Sequence, residues 1–266
     1  MAGRHLMASR PGRFALGSVG VLLVLAFWEL MIRAGMLSEQ DFTPPSQIVP
    51  TLIDIAGTGW FWTAVWASVR TAGIGLGIAC VIAIPLGIAV GSVRLLGLAT
   101  RPTIEFLRTV PGIALIPFAI LQFGANSNVD VFLIVFGCTW PLLAQVTQGV
   151  RAVDDVALQA ARSYGLSAFD RVRHVVFHAT MPYLATGFRI FASVALIIAV
   201  TAEIIVGTPG LGNEISARQG AGRVDEMYAL IFVTGVLGLM IQVVFGRFER
   251  RFLHWHQSQR AQVGRS

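Results

Sequence analysis

The stretch V131-F-L-I-V-F-G-C-T-W-P-L-L-A-Q-V-T-Q-G-V150 contains no charged side chain. A helix needs about 20 predominantly apolar residues to cross the hydrocarbon core of a bilayer. The stretch has that length, and it therefore predicts a membrane-spanning helix.

The composition of the whole chain extends this interpretation. Of its 266 residues, 55% are hydrophobic and 13% are charged. Soluble domains carry about 25% charged residues. Because so few polar groups cannot cover a water-facing surface of this size, the chain is predicted to be an all-α membrane protein.

Five further apolar segments have a suitable length. The first carries a basic flank and could be a cleaved leader, but its apolar run is long and no small-x-small cleavage site follows, which favours a retained helix. Pro111 and Pro117 are expected to bend the third. The six predicted spans are residues 14–32, 71–93, 103–123, 131–150, 183–206 and 228–246.

The distribution of arginine predicts the orientation. All 20 basic residues are arginines, and six spans place both termini on one side of the membrane. Most loop arginines lie on that side, which predicts cytoplasmic termini. Between the first two spans, Asp41 to Pro50 contains three prolines and is expected to form an extended strap. The arginines assigned to the opposite side are Arg33, Arg70, Arg218 and Arg223.

Three acids lie in or beside the predicted spans. Such residues are costly at membrane depth and are functional candidates by default. Glu29 is near the end of its span and can reach the interface. Glu105 precedes Arg108 by three residues, which favours a pair within one helix near the cytoplasmic end. Glu203 precedes the turn G207-T-P-G-L-G212 and could shape or gate a path, or pair with an arginine.

Polar side chains in the third and fourth segments offer further candidates. Gln122, Trp140 and Gln145 could line a path, although a hydrogen bond between helices explains a lone polar group in a membrane equally well. Together with Glu203, they form the tentative translocation path. The second segment has a small-residue face that is expected to allow close helix packing. Its glycines are Gly73, Gly75, Gly77, Gly87 and Gly91.

The loop from Arg151 to Pro182 predicts two short amphipathic helices. Asp154 is a capping residue for the first, and Gly165 provides its end. Ser167 followed by Asp170 has the spacing of a capping box for the second. Basic amphipathic helices of this kind can also lie on a membrane surface, so that alternative stays open.

This loop resembles a known family. The segment Q159-A-A-R-S-Y-G165, followed by V175-V-F177, is similar to the E-A-A-x3-G loop of ABC-transporter permeases of the binding-protein-dependent importer type. The family glutamate is replaced by Gln159, and the family proline by His178. Further similarities to the nitrate, sulfonate, taurine and bicarbonate subfamily occur in P44-P-S-Q-I-V-P50, I84-P-L-G-I-A-V-G-S92, E105-F-L-R-T-V-P-G-I-A-L-I-P-F-A-I-L-Q-F-G124 and A202-E-I-I-V-G-T-P-G-L-G212.

The resemblance implies a type I ABC importer permease-like fold with six spans and a cytoplasmic coupling-helix loop at 151–182. It implies the permease subunit of an ATP-driven importer in the bacterial inner membrane, with a small oxyanion, sulfonate or similar organic solute. Expected partners are an ATP-binding subunit, a periplasmic or lipid-anchored solute-binding protein, a second permease copy in a homodimer, and membrane lipids. The residues expected to couple to the ATPase are Gln159, Ala160, Ala161, Arg162 and Gly165.

The expected domain organisation follows from this assignment. It consists of a cytoplasmic tail at 1–13, a first helix with the external strap at 14–63, the permease domain at 64–248, and a cytoplasmic tail at 249–266. These boundaries rest on the positions of the predicted spans.

Several other activities find no support in the sequence. A chain without lysine cannot complete a G-x-x-x-x-G-K-[ST] loop, so ATP hydrolysis is expected on a separate subunit. His174 and His178 have zincin spacing, but Val175 replaces the required glutamate, so no metal or other cofactor is expected. No basic stripe with interleaved aromatics indicates nucleic-acid binding. An ATP-independent secondary carrier or channel remains the alternative function, and a membrane-embedded enzyme is a weaker one.

Overall fold

The structure is a computed structural model that describes residues 10–38 and 40–252, and the regular elements within those residues are all helical. Most of the predicted tails 1–13 and 249–266 lies outside the described residues. The helices are α1 Arg10–Arg33, α2 Pro45–Ala56, α3 Gly59–Ser92, α4 Arg94–Thr109, α5 Ile116–Phe123, α6 Ser127–Arg151, α7 Asp155–Ser163, α8 Ala168–Arg171, α9 Phe177–Val206, α10 Leu211–Gly220 and α11 Val224–Phe252.

Five helical spans in the described residues are long and apolar enough to cross a membrane, and a bent pair of helices makes a sixth if it is counted as one span. The bent pair is the third predicted span, and its two parts meet at 84°. It begins at Arg94, earlier than predicted, and a 3-10 turn at Gly112–Leu115 precedes α5.

The two prolines of the third span have different effects. Val110 and Pro111 are both extended, so the predicted bend at Pro111 is confirmed. The predicted bend at Pro117 is wrong, because Pro117 lies in the first turn of α5. A proline is tolerated there, since the first turn has no intrahelical acceptor for an N–H group.

The extended strap predicted for Asp41 to Pro50 is also wrong in its second half. Pro44 is extended, but Pro45 begins helix α2, which continues through Pro50 to Ala56. Proline favours the first helical position because its fixed φ suits a helix start. The three prolines between Asp41 and Pro50 therefore indicate the start of a helix as well as a loop.

The chain divides into two compact units. One ends at Trp62 and resumes from Glu214 to Val233, and the other runs from Thr63 to Asn213 and resumes at Thr234. In the first unit, the Glu29 carboxylate accepts hydrogen bonds from the Ser46 backbone N–H at 3.1 Å and the Ser46 hydroxyl at 2.8 Å. Arg33 Nη2 lies 2.7 Å from Glu29 Oε1. Glu29 thus joins α1 to the first turn of α2.

Helix α6 forms the centre of the second unit. Val129, Leu133, Ile134, Cys138 and Val146 are fully buried. They pack in one apolar cluster with residues of α3 and α9. The predicted uncharged span is therefore the helix on which its neighbours assemble.

Glycines bring α3 close to α6, as the small-residue face predicted. A methyl group added to Gly75 would lie 2.6 Å from Ile134 Cγ2, and one added to Gly91 would lie 2.6 Å from Val150 Cβ. Gly73 and Gly77, by contrast, have open space beside them. Only part of the predicted face is therefore used for packing within one chain.

Replacing Gly87 by alanine should destabilise the protein. The new Cβ would lie 2.7 Å from Val146 Cβ and 3.1 Å from the Leu143 carbonyl oxygen. Overpacking of this kind costs about 1–3 kcal/mol. Gly77→Ala is the matched control on the same helix, with no atom within 4 Å of the added group. Thermal unfolding of the purified proteins in detergent compares them, and equal midpoints would refute the close α3–α6 contact.

Candidate functional site

The predicted caps of the 151–182 loop are confirmed. The Asp154 side chain accepts a hydrogen bond from the Val156 N–H at 2.9 Å, at the start of α7. Gly165 has φ 75° and ends the turn after α7. Ser167 Oγ accepts a hydrogen bond from the Asp170 N–H at 3.1 Å and donates one to the Asp170 carboxylate at 2.6 Å. Local hydrogen bonds therefore fix both helix starts.

The loop has an inner and an outer face. Ala161 and Val176 are buried, and Leu158 and Val175 pack against the apolar cluster around α6. The outer face carries large apolar side chains that are 70–84% exposed. These are Val156, Tyr164 and Phe169. Gln159, Ala160, Arg162 and Gly165 are exposed beside them.

The second loop helix is not a separate element, which corrects the prediction of two short helices. Helix α8 continues through a π-helical segment at Val172–Val176 into α9. Helix-compatible dihedrals hold across both junctions, so one span of 39 residues runs from Ala168 to Val206. His174 and His178 lie near its start, where each ring Nδ1 contacts a backbone carbonyl oxygen, of Asp170 and Arg173 respectively.

At the other end of α9, Glu203 is fully buried and holds three segments together. Its Oε2 accepts hydrogen bonds from the Ser68 hydroxyl at 2.7 Å and from the Gly212 N–H at 2.9 Å. Ser68 Oγ also accepts a hydrogen bond from the Leu211 N–H at 2.8 Å. The carboxylate thereby satisfies the start of α10, where N–H groups lack intrahelical partners.

The glycines beside Glu203 are required by this close approach. A Cβ at Gly210 would collide with the Glu203 carboxyl group, and a Cβ at Gly212 would collide with the Val200 carbonyl oxygen. Gly207 adopts φ 77° and ends α9. The motif from Ala202 to Gly212 is therefore a compact polar clamp within the second unit.

The four residues of the predicted path do not form one site. Gln145 lines a cavity of about 680 Å³ with His178, Pro182, Tyr183 and other residues at the loop end of α6 and α9. Asp130 lies near Glu203. Because Asp130 is about 22 Å from Gln145 along α6, Gln145 and Glu203 lie near different ends of that helix.

The other two path candidates lie elsewhere. Gln122 is exposed on α5. Trp140 is half-buried on α6, where its ring lies 6.2 Å from the Phe136 ring. Glu203 itself is inside the clamp and not on an open surface.

Sequence reasoning missed three polar residues of the clamp region. Ser68, Asp130 and Thr208 are all at least 98% buried. Asp130 directly precedes the predicted fourth span, and Ser68 carries no sequence signal because its partner is 135 residues away. The position of Asp130 directly before an apolar run was the one sequence signal that could have indicated a buried polar group near Glu203.

Similarity to known proteins covers most of the chain. The family described as "Binding-protein-dependent transport system inner membrane component" matches residues 83–254, more than half of the sequence. The chain is 28% identical over 253 residues to the taurine transport system permease protein of Escherichia coli (strain K12), covering 93% of this chain and 91% of the relative.

A nitrate import permease protein of Leptolyngbya laminosa is 28% identical over 239 residues, covering 86% of this chain and 84% of the relative. Among solved structures, an inward-facing conformation of the MetNI methionine ABC transporter matches with a TM-score of 0.64 and 18% identity. That match covers 72% of this chain and 95% of the other. The fold is thus that of a type I ABC importer permease.

Replacing Ser68 by alanine should destabilise the clamp. The change removes a donor to Glu203 and the acceptor for the Leu211 N–H, and an unsatisfied buried polar group costs about 1–3 kcal/mol. Ser193→Ala is the matched control, because Ser193 Oγ is buried and has no hydrogen-bond partner among the described residues. Unfolding in detergent should show a lower midpoint for Ser68→Ala alone. A similar loss for both variants would argue against the clamp.

Proposed function

This chain belongs to the family of binding-protein-dependent transport system inner membrane components, and we propose that it imports small solutes bearing a sulfonate or another negatively charged oxyanion group. It is a multi-pass membrane protein and a permease subunit of an ABC importer. Such a permease works with ATP-binding and substrate-binding components.

The solute class is supported by what the relatives carry. Taurine bears a sulfonate group, and nitrate is an oxyanion, so both relatives transport a small solute with a negatively charged group of oxygens. The chain itself has a formal net charge of +6, all of its basic residues being arginine. Guanidinium groups suit oxyanions because they donate two parallel N–H bonds to paired oxygens.

The 151–182 loop is the proposed contact with a separate ATP-hydrolysing subunit. The observation that carries this proposal is the outer face of the loop. Val156 and Phe169 are 70% exposed and Tyr164 is 84% exposed, whereas the opposite face packs on the chain's own core. Three large apolar side chains beside the exposed Gln159 and Arg162 have the composition of a protein contact.

A contact at this loop also sets the orientation. ATP is cytoplasmic, so the loop side of the membrane is the cytoplasmic side, and both termini lie there if the bent pair crosses once. The excess of arginine on that side agrees with the positive-inside rule. A bacterial inner membrane, a second permease copy forming a homodimer, and a solute-binding protein on the opposite side complete the proposed assembly.

The proposed mechanism is conformational coupling. Closure of the ATPase pair would move the loop, and the span from Ala168 to Val206 would carry that movement across the membrane as one continuous helix. Gln159, Ala160, Arg162 and Gly165 are the proposed coupling residues on the outer face. Ala161 would act indirectly, since it is buried and fixes α7 to its own chain.

Gly165→Asp should abolish ATP-driven uptake while membrane insertion stays normal. The substitution strains a left-handed residue and places a charge on the proposed docking face. Gly35→Asp is the matched control, because Gly35 has φ 71° and open space beside it but lies outside the loop. Tagged protein from native membranes is purified in mild detergent, and the co-purifying ATPase is quantified by mass spectrometry.

Wild-type protein and Gly35→Asp should co-purify equal amounts of a P-loop ATPase. Gly165→Asp should co-purify none. A stable complex without any ATPase would favour an ATP-independent carrier and leave the loop on the membrane surface. Uptake of taurine, an aliphatic sulfonate and nitrate by the reconstituted complex tests the solute class. Transport only of solutes that lack a sulfonate or other oxyanion group would overturn it.

A further inference from the structure

Helix α4 carries arginine along one edge from its first residue to its last turn. Arg94, Arg101 and Arg108 are spaced by seven residues, so each lies within about 20° of the previous one around the helix. All three residues are exposed. Phe106, which lies nearly opposite Arg108 around the helix, is apolar and 67% exposed. The two edges therefore suit surroundings of different polarity.

The depth of Arg108 follows from the contacts between α4 and α6. Gly97, near the start of α4, lies beside the side chain of Arg151, the last residue of α6. Gly112, just beyond α4, lies beside Gly137, about 21 Å from Arg151 along α6. Arg108 is about 16 Å from Gly97 along α4. Half of the hydrocarbon core is about 15 Å thick, so with Arg151, the charged end of α6, at its edge, Arg108 is placed close to the middle of the membrane.

This inferred position differs from the expectation that Glu105 and Arg108 lie near the cytoplasmic end of their span. The pair itself is confirmed, with Arg108 Nε 3.3 Å from Glu105 Oε2. Because α4 begins at Arg94, the pair occupies its last two turns. The sequence did not show this, because Arg94, Arg101 and Pro102 interrupt the apolar pattern before Thr103.

The surroundings of the pair are open in the single chain. The Arg108 side chain is 43% exposed and that of Glu105 is 52% exposed. Among the described residues, Glu105 is the one ion-pair partner of Arg108. Charged groups at this depth face the protein interior or a water-filled cavity, because facing lipid is too costly.

The backbone next to Arg108 gives a second, independent indication. Two residues further on, Val110 and Pro111 are extended, and the span bends by 84°. Irregular backbone at membrane depth is tolerated where it is buried in protein or lines a water-filled cavity. Discontinuous helices in transporters commonly form the substrate site near the middle of the bilayer.

We propose that Arg108 contacts the anionic solute halfway across the membrane, at the bend of the third span. Arg101 and Arg94 continue a positive edge from this point to the end of the span where Arg151 lies. Glu105 shares the guanidinium with the solute, which keeps the contact weak enough for release. The inference rests on the proposed function, because it requires an anionic solute.

Thiol labelling tests the position without any transport assay. The chain has two cysteines, Cys80 and Cys138, and both are buried. In the assembled transporter, Arg108→Cys should react with a membrane-impermeant charged thiol reagent. Phe106→Cys, which is two residues away on the apolar edge, should react at least about tenfold more slowly, because ionised thiols and charged reagents both need water. Equal rates, or no reaction at position 108 in any nucleotide state, would overturn the assignment.

Uptake kinetics test the solute contact. The complete complex, with its ATPase and binding protein, is reconstituted in liposomes, and ATP-driven uptake of taurine and nitrate is measured. Arg108→Gln should reduce kcat/KM about tenfold or more, and Arg108→Lys should restore part of the loss. Arg247→Gln, which removes an exposed arginine of α11 that is not part of the positive edge, is the matched control and should stay within about twofold.

The outcomes separate the two proposals. If wild-type protein imports these anions and Arg108→Gln matches it, the contact is wrong and the proposed function stands. If the wild-type complex hydrolyses ATP and imports no anion, the solute class fails and the anion contact fails with it. Labelling at position 108 would then still decide whether that position lines an aqueous path.

Discussion

The close packing of helices around α6 is the constraint on which the rest of the structure depends. In a bilayer, helices gain little from the hydrophobic effect when they associate, so contact relies on small residues that let backbones approach. Gly75 and Gly91 provide this between α3 and α6, and Gly149 and Gly187 provide it between α6 and α9. Because α3 and α9 pack closely on α6, the loop after α6 and the clamp after α9 are both attached to closely packed helices.

Acidic residues then serve two different purposes. Glu29 and Glu203 each accept a backbone N–H at the start of a helix that follows an apolar span, at Ser46 and at Gly212. Carboxylates are favourable at helix N-termini because both the free N–H groups and the helix dipole attract them. Glu105 differs from both, because among the described residues it accepts no backbone N–H and pairs only with Arg108 on its own helix. This contrast distinguishes structural carboxylates from the one beside the proposed path.

Sequence reasoning succeeded where the signal was local and failed where it was not. Span length and the caps at Asp154 and Ser167 depend on neighbouring residues, and the structure has them. The helical start of α2, the continuity of α8 with α9, and the hydrogen bond between Ser68 and Glu203 depend on tertiary contacts that one sequence does not display. The coupling residues were identified by resemblance to a family motif, and their role stays a prediction.

Continuity from the loop to the clamp explains how the proposed coupling can reach across the membrane. The helix from Ala168 to Val206 is about 58 Å long and lies between two left-handed glycines, Gly165 and Gly207. The chain turns at those glycines, and the helix between them is continuous, with a π-helical segment and Pro182 in the part near the loop. Its far end is held to α3 through Glu203 and Ser68. In the proposed mechanism, a displacement of the loop would therefore reach the contact between α9 and α3 through this one continuous helix.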